Sequence, residues 1–201
     1  METDEQKNVV YVTDSNSEFT VKLLPDDNGE YYGVAITSWK LNGETLDIPL
    51  TYTYDKVQTP IVYDVVQIGT PSCGAIADVN LKNLTVPSSV KLICANAFMM
   101  SKGLETVTLS EGLREIGEFA FWSSGVKTIN LPSTLKSIGE CAFSGCSNLT
   151  SVVIPSSVEE IGENAFCGCK SLVSVTIPRR FEASISVIFS SCPNISVTYI
   201  D

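Results

Sequence analysis

The sequence predicts a repeat solenoid, β-rich with short helical turns and closed at its N-terminal end by a β-hairpin. Three observations carry that expectation. The phenylalanines at 98, 121, 143, 166 and 189 stand 23, 22, 23 and 23 residues apart. The apolar residues Val86, Leu109, Leu131, Ile154, Ile177 and Ile200 keep the same step. Each interval repeats one string, fullest from Ile154-Pro155-Ser156-Ser157-Val158 through Ile161-Gly162, Ala165-Phe166 and Cys169 to Leu172. Such a unit cannot bury its apolar face alone, so the units stack into a continuous core.

Composition limits what this core can serve. The 201 residues are 44% hydrophobic and 18% charged, a globular balance. With 23 acidic and 13 basic residues the formal net charge is −10, so nucleic acid phosphates are repelled. Histidine is absent, which removes His-based triads and most zinc sites. No apolar run approaches 18 residues, so no span across a membrane is expected. The first residues, Met1-Glu2-Thr3-Asp4-Glu5-Gln6-Lys7, hold no apolar signal core. Alone they argue for the cytoplasm, and they equally fit a chain whose leader has been removed.

In chain order, residues 1–16 read as a polar tail and 17–45 as the hairpin cap. Glu18–Leu24 alternates as a strand and Tyr31–Trp39 as another, with Pro25-Asp26-Asp27-Asn28-Gly29-Glu30 between them. Asn-Gly accepts positive φ at a hairpin turn, which accounts for this acidic loop better than calcium binding does, since the ligand spacing of an EF-hand is missing. Residues 46–201 form the solenoid. Within it 46–83 is a degenerate coil, with an insertion of about 15 residues expected around 51–64 because Ile48 and Val86 stand 38 apart. Val65-Val66-Gln67-Ile68-Gly69 nevertheless echoes the later coils. The regular coils, 84–201, each begin with an apolar triad such as Leu149, Val152 and Ile154, which alternates as a strand facing a core. Proline at 87, 132, 155 or 178 should end that strand. A second apolar pair such as Val158 and Ile161 carries the return leg, glycine at 117, 139 and 162 supplies a bend, and Ala-Phe fills the interior on a short turn. The last coil departs most, with Thr198 at a valine position.

At these residues the chain resembles the BspA-like leucine-rich repeats of bacterial surface proteins, whose repeat runs roughly Ile-Pro-x-Ser-Val-x-x-Ile-Gly-x-x-Ala-Phe-x-x-Cys-x-x-Leu-x-x-Val. Coil 154–177 matches nearly every position, and the resemblance covers about 84–200. It implies a leucine-rich repeat solenoid that is extracellular or anchored at the cell surface, often as a lipoprotein, and that binds protein partners such as host matrix. It does not imply catalysis.

The residues carry no competing chemistry. Seven cysteines, at 73, 94, 141, 146, 167, 169 and 192, invite a thiolate cluster. Cys146, Cys169 and Cys192 share one repeat phase with Ser101 and Ser124, so buried free thiols in an interior ladder are the better account, with a disulfide or a metal as the lesser ones. Glu111/Glu115 and Glu159/Glu160 fall on turns and the return leg, where a solvated face explains them. No cofactor, metal or catalytic residue is expected, and an enzyme is the last of the readings.

What remains is a surface. The outward positions of the stacked strands are Glu105, Thr106 and Thr108; Lys127, Thr128 and Asn130; Thr150, Ser151 and Val153; Val173, Ser174 and Thr176; and Tyr199. This face is small, rich in hydroxyls and nearly neutral, a candidate for protein recognition or adhesion. Aromatic anchors for a carbohydrate lie elsewhere, at Trp39, Tyr52 and Tyr54. A glycan-associated binding protein is therefore the alternative function, and a purely structural segment is the third.

Overall fold

The structure is a computed structural model that describes residues 9–13, 17–25, 31–41, 43–49, 51–54, 61–69 and 80–201. Its strands in chain order are β1 (Val9–Thr13), β2 (Ser17–Pro25), β3 (Tyr31–Leu41), β4 (Thr45–Asp47), β5 (Thr51–Tyr54), β6 (Ile61–Ile68), β7 (Asn83–Val86), β8 (Leu92–Ile93), β9 (Thr106–Leu109) and β10 (Glu115–Ile116). There follow β11 (Thr128–Asn130), β12 (Ser137–Ile138), β13 (Ser151–Val153), β14 (Glu160–Ile161), β15 (Ser174–Pro178) and β16 (Ser196–Ile200). A 3-10 segment, Arg179–Ser184, and a single helical turn, α1 (Ile185–Ile188), lie between the last two. The result is a β-solenoid of about five turns with little helix.

Each coil contributes two strands, because two apolar pairs per repeat must face one interior. β4, β7, β9 and β11 pair in parallel, then β13, β15 and β16. One backbone bond, Thr150 N to Lys127 O at 3.4 Å, links the two sets. The return leg is a second parallel sheet, β6-β8-β10-β12-β14, where the sequence had shown only an apolar pair. At its N-terminal end β3 joins β6 in parallel and β2 antiparallel. Val9–Thr13, assigned to a polar tail on sequence, pairs antiparallel with β2, Val9 opposite Lys22. The expected insertion is occupied by the antiparallel pair β5/β6, with Thr51 opposite Asp64 and Tyr54 opposite Ile61. The acidic turn 26–30 and Cys73 lie outside the described residues.

The interior is a set of columns. Phe98, Phe121, Phe143 and Phe166 are fully buried. Their ring centroids, and that of Phe189, follow one another at 5.1–5.2 Å with interplanar angles of 4–15°. Parallel rungs about 4.8 Å apart impose this offset stack on any aromatic held in one phase. The Ala-Phe segments are turns, not helices. Alternate amides in them donate to the next coil, as Phe98 N to Ala120 O, Phe121 N to Ala142 O and Phe143 N to Ala165 O, at 2.7–2.8 Å. To face both neighbours, each turn uses two left-handed positions. The one before alanine is Asn96, Phe119, Cys141 or Asn164. The one two residues after phenylalanine is Met100, Ser123, Gly145 or Gly168; in the last coil, whose turn follows α1, Ser191 alone is left-handed.

Glycine at 117, 139 and 162, placed on sequence at a bend, does not have positive φ. A Cβ there would sit 2.6, 2.6 and 2.4 Å from the backbone nitrogens of Ala95, Glu118 and Glu140, so glycine is required by the approach of successive coils. Pro178 ends its strand as expected: it is the last residue of β15, in register with Ile200. The final coil is shorter than its phenylalanine spacing suggests. Val175 pairs with Val197 and Ile177 with Tyr199, so Val197, not Thr198, holds the valine position. A residue is missing between Cys192 and β16. The coil after Phe121 is shortened at the same connection, where Gly125 presses against Lys102 O, 2.1 Å from a built Cβ.

These contacts set measurable stabilities. Phe143→Ala should cost about 3–5 kcal/mol in denaturant unfolding, since it opens a cavity inside the ring stack. Gly139→Ala should cost about 1–3 kcal/mol through forced separation of two coils. Ser123→Gly, at φ 56, should instead stabilise by about 0.5–1 kcal/mol by relieving a left-handed serine.

Candidate binding face

The outward side of the first sheet is built from three columns. Backbone bonds Lys82 N to Glu44 O, Glu105 N to Lys82 O, Lys127 N to Glu105 O and Thr150 N to Lys127 O place Glu44, Lys82, Glu105, Lys127 and Thr150 on successive rungs, and Val173 follows. The second column runs Thr45, Asn83, Thr106 and Thr128, then Ser151, Ser174 and Ser196. The third is Asp47, Thr85, Thr108 and Asn130, then Val153, Thr176 and Thr198. Alternation explains the second and third columns, because Leu84, Val107, Ile129, Val152 and Val175 between them are buried. The first column precedes the strands, where Glu105 N and Thr106 N both donate to Lys82 O.

Twelve of the thirteen strand residues selected on sequence, Glu105, Thr106, Thr108, Lys127, Thr128, Asn130, Thr150, Ser151, Val153, Val173, Ser174 and Thr176, share one face. Tyr199 does not. The shortened last coil moves it into register with Ile177, where it packs half-buried against the core under the Arg179 guanidinium, 5.3 Å from its ring centroid. Trp39 lies on β3 and Tyr52 and Tyr54 on β5, strands that join the return-leg sheet through β6 and not the threonine face.

The first column neutralises itself. Lys82 bonds Glu44 at 2.6 Å and Lys127 bonds Glu105 at 2.8 Å. The hydrogen bond and charge of Lys127 hold the Glu105 carboxyl below its usual 4.5. That carboxyl therefore contributes stability above pH 4.5 which is lost as pH falls through its lower folded value. Glu44 and Lys82 escaped sequence reasoning, although aligning the residue just before each strand across the coils would have shown the alternating signs. On this otherwise polar face Val153 and Val173 are 59% and 53% exposed.

Inside, the cysteine column is confirmed for the described residues. The six cysteines there are free. The Cys146, Cys169 and Cys192 thiols donate to the carbonyls of Phe121, Phe143 and Phe166 at 3.2, 3.3 and 3.1 Å. Burial pushes the Cys146 thiol up to about 11. Cys169 is raised by its hydrogen bond to Cys192 and by burial, and the same bond holds half-buried Cys192 below the usual thiol range. Among the described residues no group of His, Cys, Asp or Glu could hold a metal ion, and no helix is long and apolar enough to cross a membrane.

The chain belongs to the family of BspA type leucine-rich repeat regions, whose model matches residues 73–196 in six copies. It is similar to a leucine-rich repeat protein from Bacteroides ovatus, at 26% identity over 95% of this chain and 45% of that one, with a TM-score of 0.66. It is similar also to a leucine-rich repeat protein of T. pallidum, at 27% identity over 99% of this chain and 82% of that one, TM-score 0.68. The pneumococcal vaccine antigen PcpA shares the fold, at 21% identity over 96% of this chain and 50% of that one, TM-score 0.71. The chain thus spans under half of the B. ovatus protein. No curated protein sequence matches it.

Two outcomes follow. Lys127→Met should return the Glu105 carboxyl toward 4.5 in an NMR titration and remove its share of the loss of stability below that pH. In a Cys73→Ser background, half-buried Cys192 should react with a thiol reagent before the other two members of its column, Cys146 and Cys169, which are fully buried and react only on unfolding.

Proposed function

We propose that this chain is a non-catalytic recognition module that acts at the cell surface or outside the cell and binds another protein through the outward face of its first sheet. The observation that carries this reading is the pair of exposed valines, Val153 and Val173, on a face whose charged column is internally paired. Apolar side chains beside neutralised charges and small hydroxyls can be desolvated by a partner at little electrostatic cost. Membership of a leucine-rich repeat family supports an interaction role. A matrix protein or another surface protein is the partner class that fits.

A second reading, a glycan-associated protein using the aromatic N-terminal half, is favoured by Tyr32, 58% exposed on β3. Stacking on a sugar ring would use that phenol face.

Biolayer interferometry against a panel of matrix proteins and neutral glycans separates the two. A saturable protein partner should lose about tenfold or more in affinity with Val153→Glu or Val173→Glu, whose desolvation cost is of that order. Binding unchanged in both variants would overturn the protein reading. A neutral glycan retained by both variants but lost with Tyr32→Ala would establish the second.

A further inference from the structure

The return leg carries a column of charge that, unlike the one on the strand face, does not neutralise itself. Backbone bonds Arg114 N to Lys91 O, Lys136 N to Arg114 O and Glu159 N to Lys136 O, at 2.7–2.9 Å, stack Lys91, Arg114, Lys136 and Glu159 on successive rungs. Three cations in a row therefore sit about 4.8 Å apart along the backbone, an arrangement that sheets normally avoid because like charges on adjacent strands repel. Among the described residues only Lys136 of the three has an ion pair, with Glu159 at 2.5 Å. The Lys91 ammonium donates to the Ser88 carbonyl at 2.9 Å, which orients it without cancelling its charge. Among the described residues Arg114 pairs with no carboxylate.

The column borders a shallow notch of about 230 Å³ lined by Lys91, Gly112, Arg114, Thr134 and Lys136. Gly112 makes the notch: a Cβ there would lie 3.1 Å from the Lys91 ammonium and 2.2 Å from Ser88 O. The nearby polar groups are already committed. Thr134 Oγ1 donates to Leu113 O and accepts from Gly112 N, both at 2.8 Å. The Glu111 carboxylate is held one rung on by the Ser133 amide and hydroxyl at 3.0 and 2.9 Å. Glu115 and Glu160 line a separate groove along the Gly117–Gly139–Gly162 row. Among the described residues Lys91 and Arg114 are thus neighbouring donors without an ion pair, and the Lys91 ammonium is held in place by Ser88 O.

We propose that this strip binds a sulfated polysaccharide, with sulfate groups seated against Lys91 and Arg114 and the sugar chain running along the rungs. Both donors make charge-assisted bonds, and the guanidinium fork matches two oxygens of one sulfate. The chain's net charge of −10 opposes any long polyanion, so attraction is confined to within a Debye length of the strip, about 8–10 Å. This selects short sulfated stretches against the uniform charge of a nucleic acid duplex. The site is independent of the protein-binding face and stands whether or not that face has a partner.

The test is calorimetry of the whole chain with a heparin hexasaccharide at low and physiological salt, beside its desulfated form, inorganic sulfate and a charge-matched DNA duplex. Binding of the hexasaccharide that the desulfated sugar lacks, and that falls about tenfold or more in K91Q/R114Q, is the expected result. Arg114→Lys should lose less than Arg114→Gln, and Lys170→Gln, on an exposed turn, should lose nothing. Thermal unfolding of each variant separates lost binding from lost folding. No binding at low salt, equal binding of the DNA duplex, or an unchanged affinity in K91Q/R114Q would each overturn the proposal.

Discussion

Everything in this molecule depends on in-phase stacking of parallel rungs. Once successive coils sit about 4.8 Å apart in the same phase, a position in the repeat becomes a column in space, and each residue is surrounded chiefly by its own counterparts. Interior columns then have few solutions. Phenylalanine meets phenylalanine in an offset stack, cysteine donates to the carbonyl of the coil before, and glycine is forced wherever backbones must close up. Exterior columns face a sharper choice, because charges of one sign meet charges of the same sign.

The two sheets resolve that choice differently. On the strand face the signs alternate, from Glu44 through Lys82 and Glu105 to Lys127, so the column is electrostatically closed. On the return leg Lys91, Arg114 and Lys136 carry one sign, and only the last finds a carboxylate. The closed column lies beside exposed valines, and the open one lies beside a notch made by a missing side chain. A single elongated body thus presents an apolar, neutral surface and a small cationic one on different sides.

Much of this was legible in the sequence because periodicity is a strong signal when it repeats five times. The phenylalanine step identified the solenoid, and simple alternation placed Thr106, Thr108, Thr128 and Asn130 outward before any coordinates. Register within a coil was harder. Tyr199 was misplaced because the final coil keeps its phenylalanine spacing and loses its residue only afterwards, which shifts the strand but not the turn. The glycine row was legible as one phase of the repeat, but its cause was not: only the backbone distances show that crowding between coils, and not positive φ, requires glycine there. The cationic column was missed for another reason: its members follow three different apolar residues, Val90, Leu113 and Leu135, and emerge only when the coils are laid over one another.

The connection between the phenylalanine turn and the strand is where both short coils lose their residue. That makes it the expansion joint of the molecule. Length can change there while every facade on either side keeps its alignment, so repeats of unequal size can be joined without disturbing what the surface displays. It also means that novelty in such a chain need not come from the strands. A few residues added at this corner would project beside the valine-bearing face and reshape its rim, leaving the stacked interior untouched.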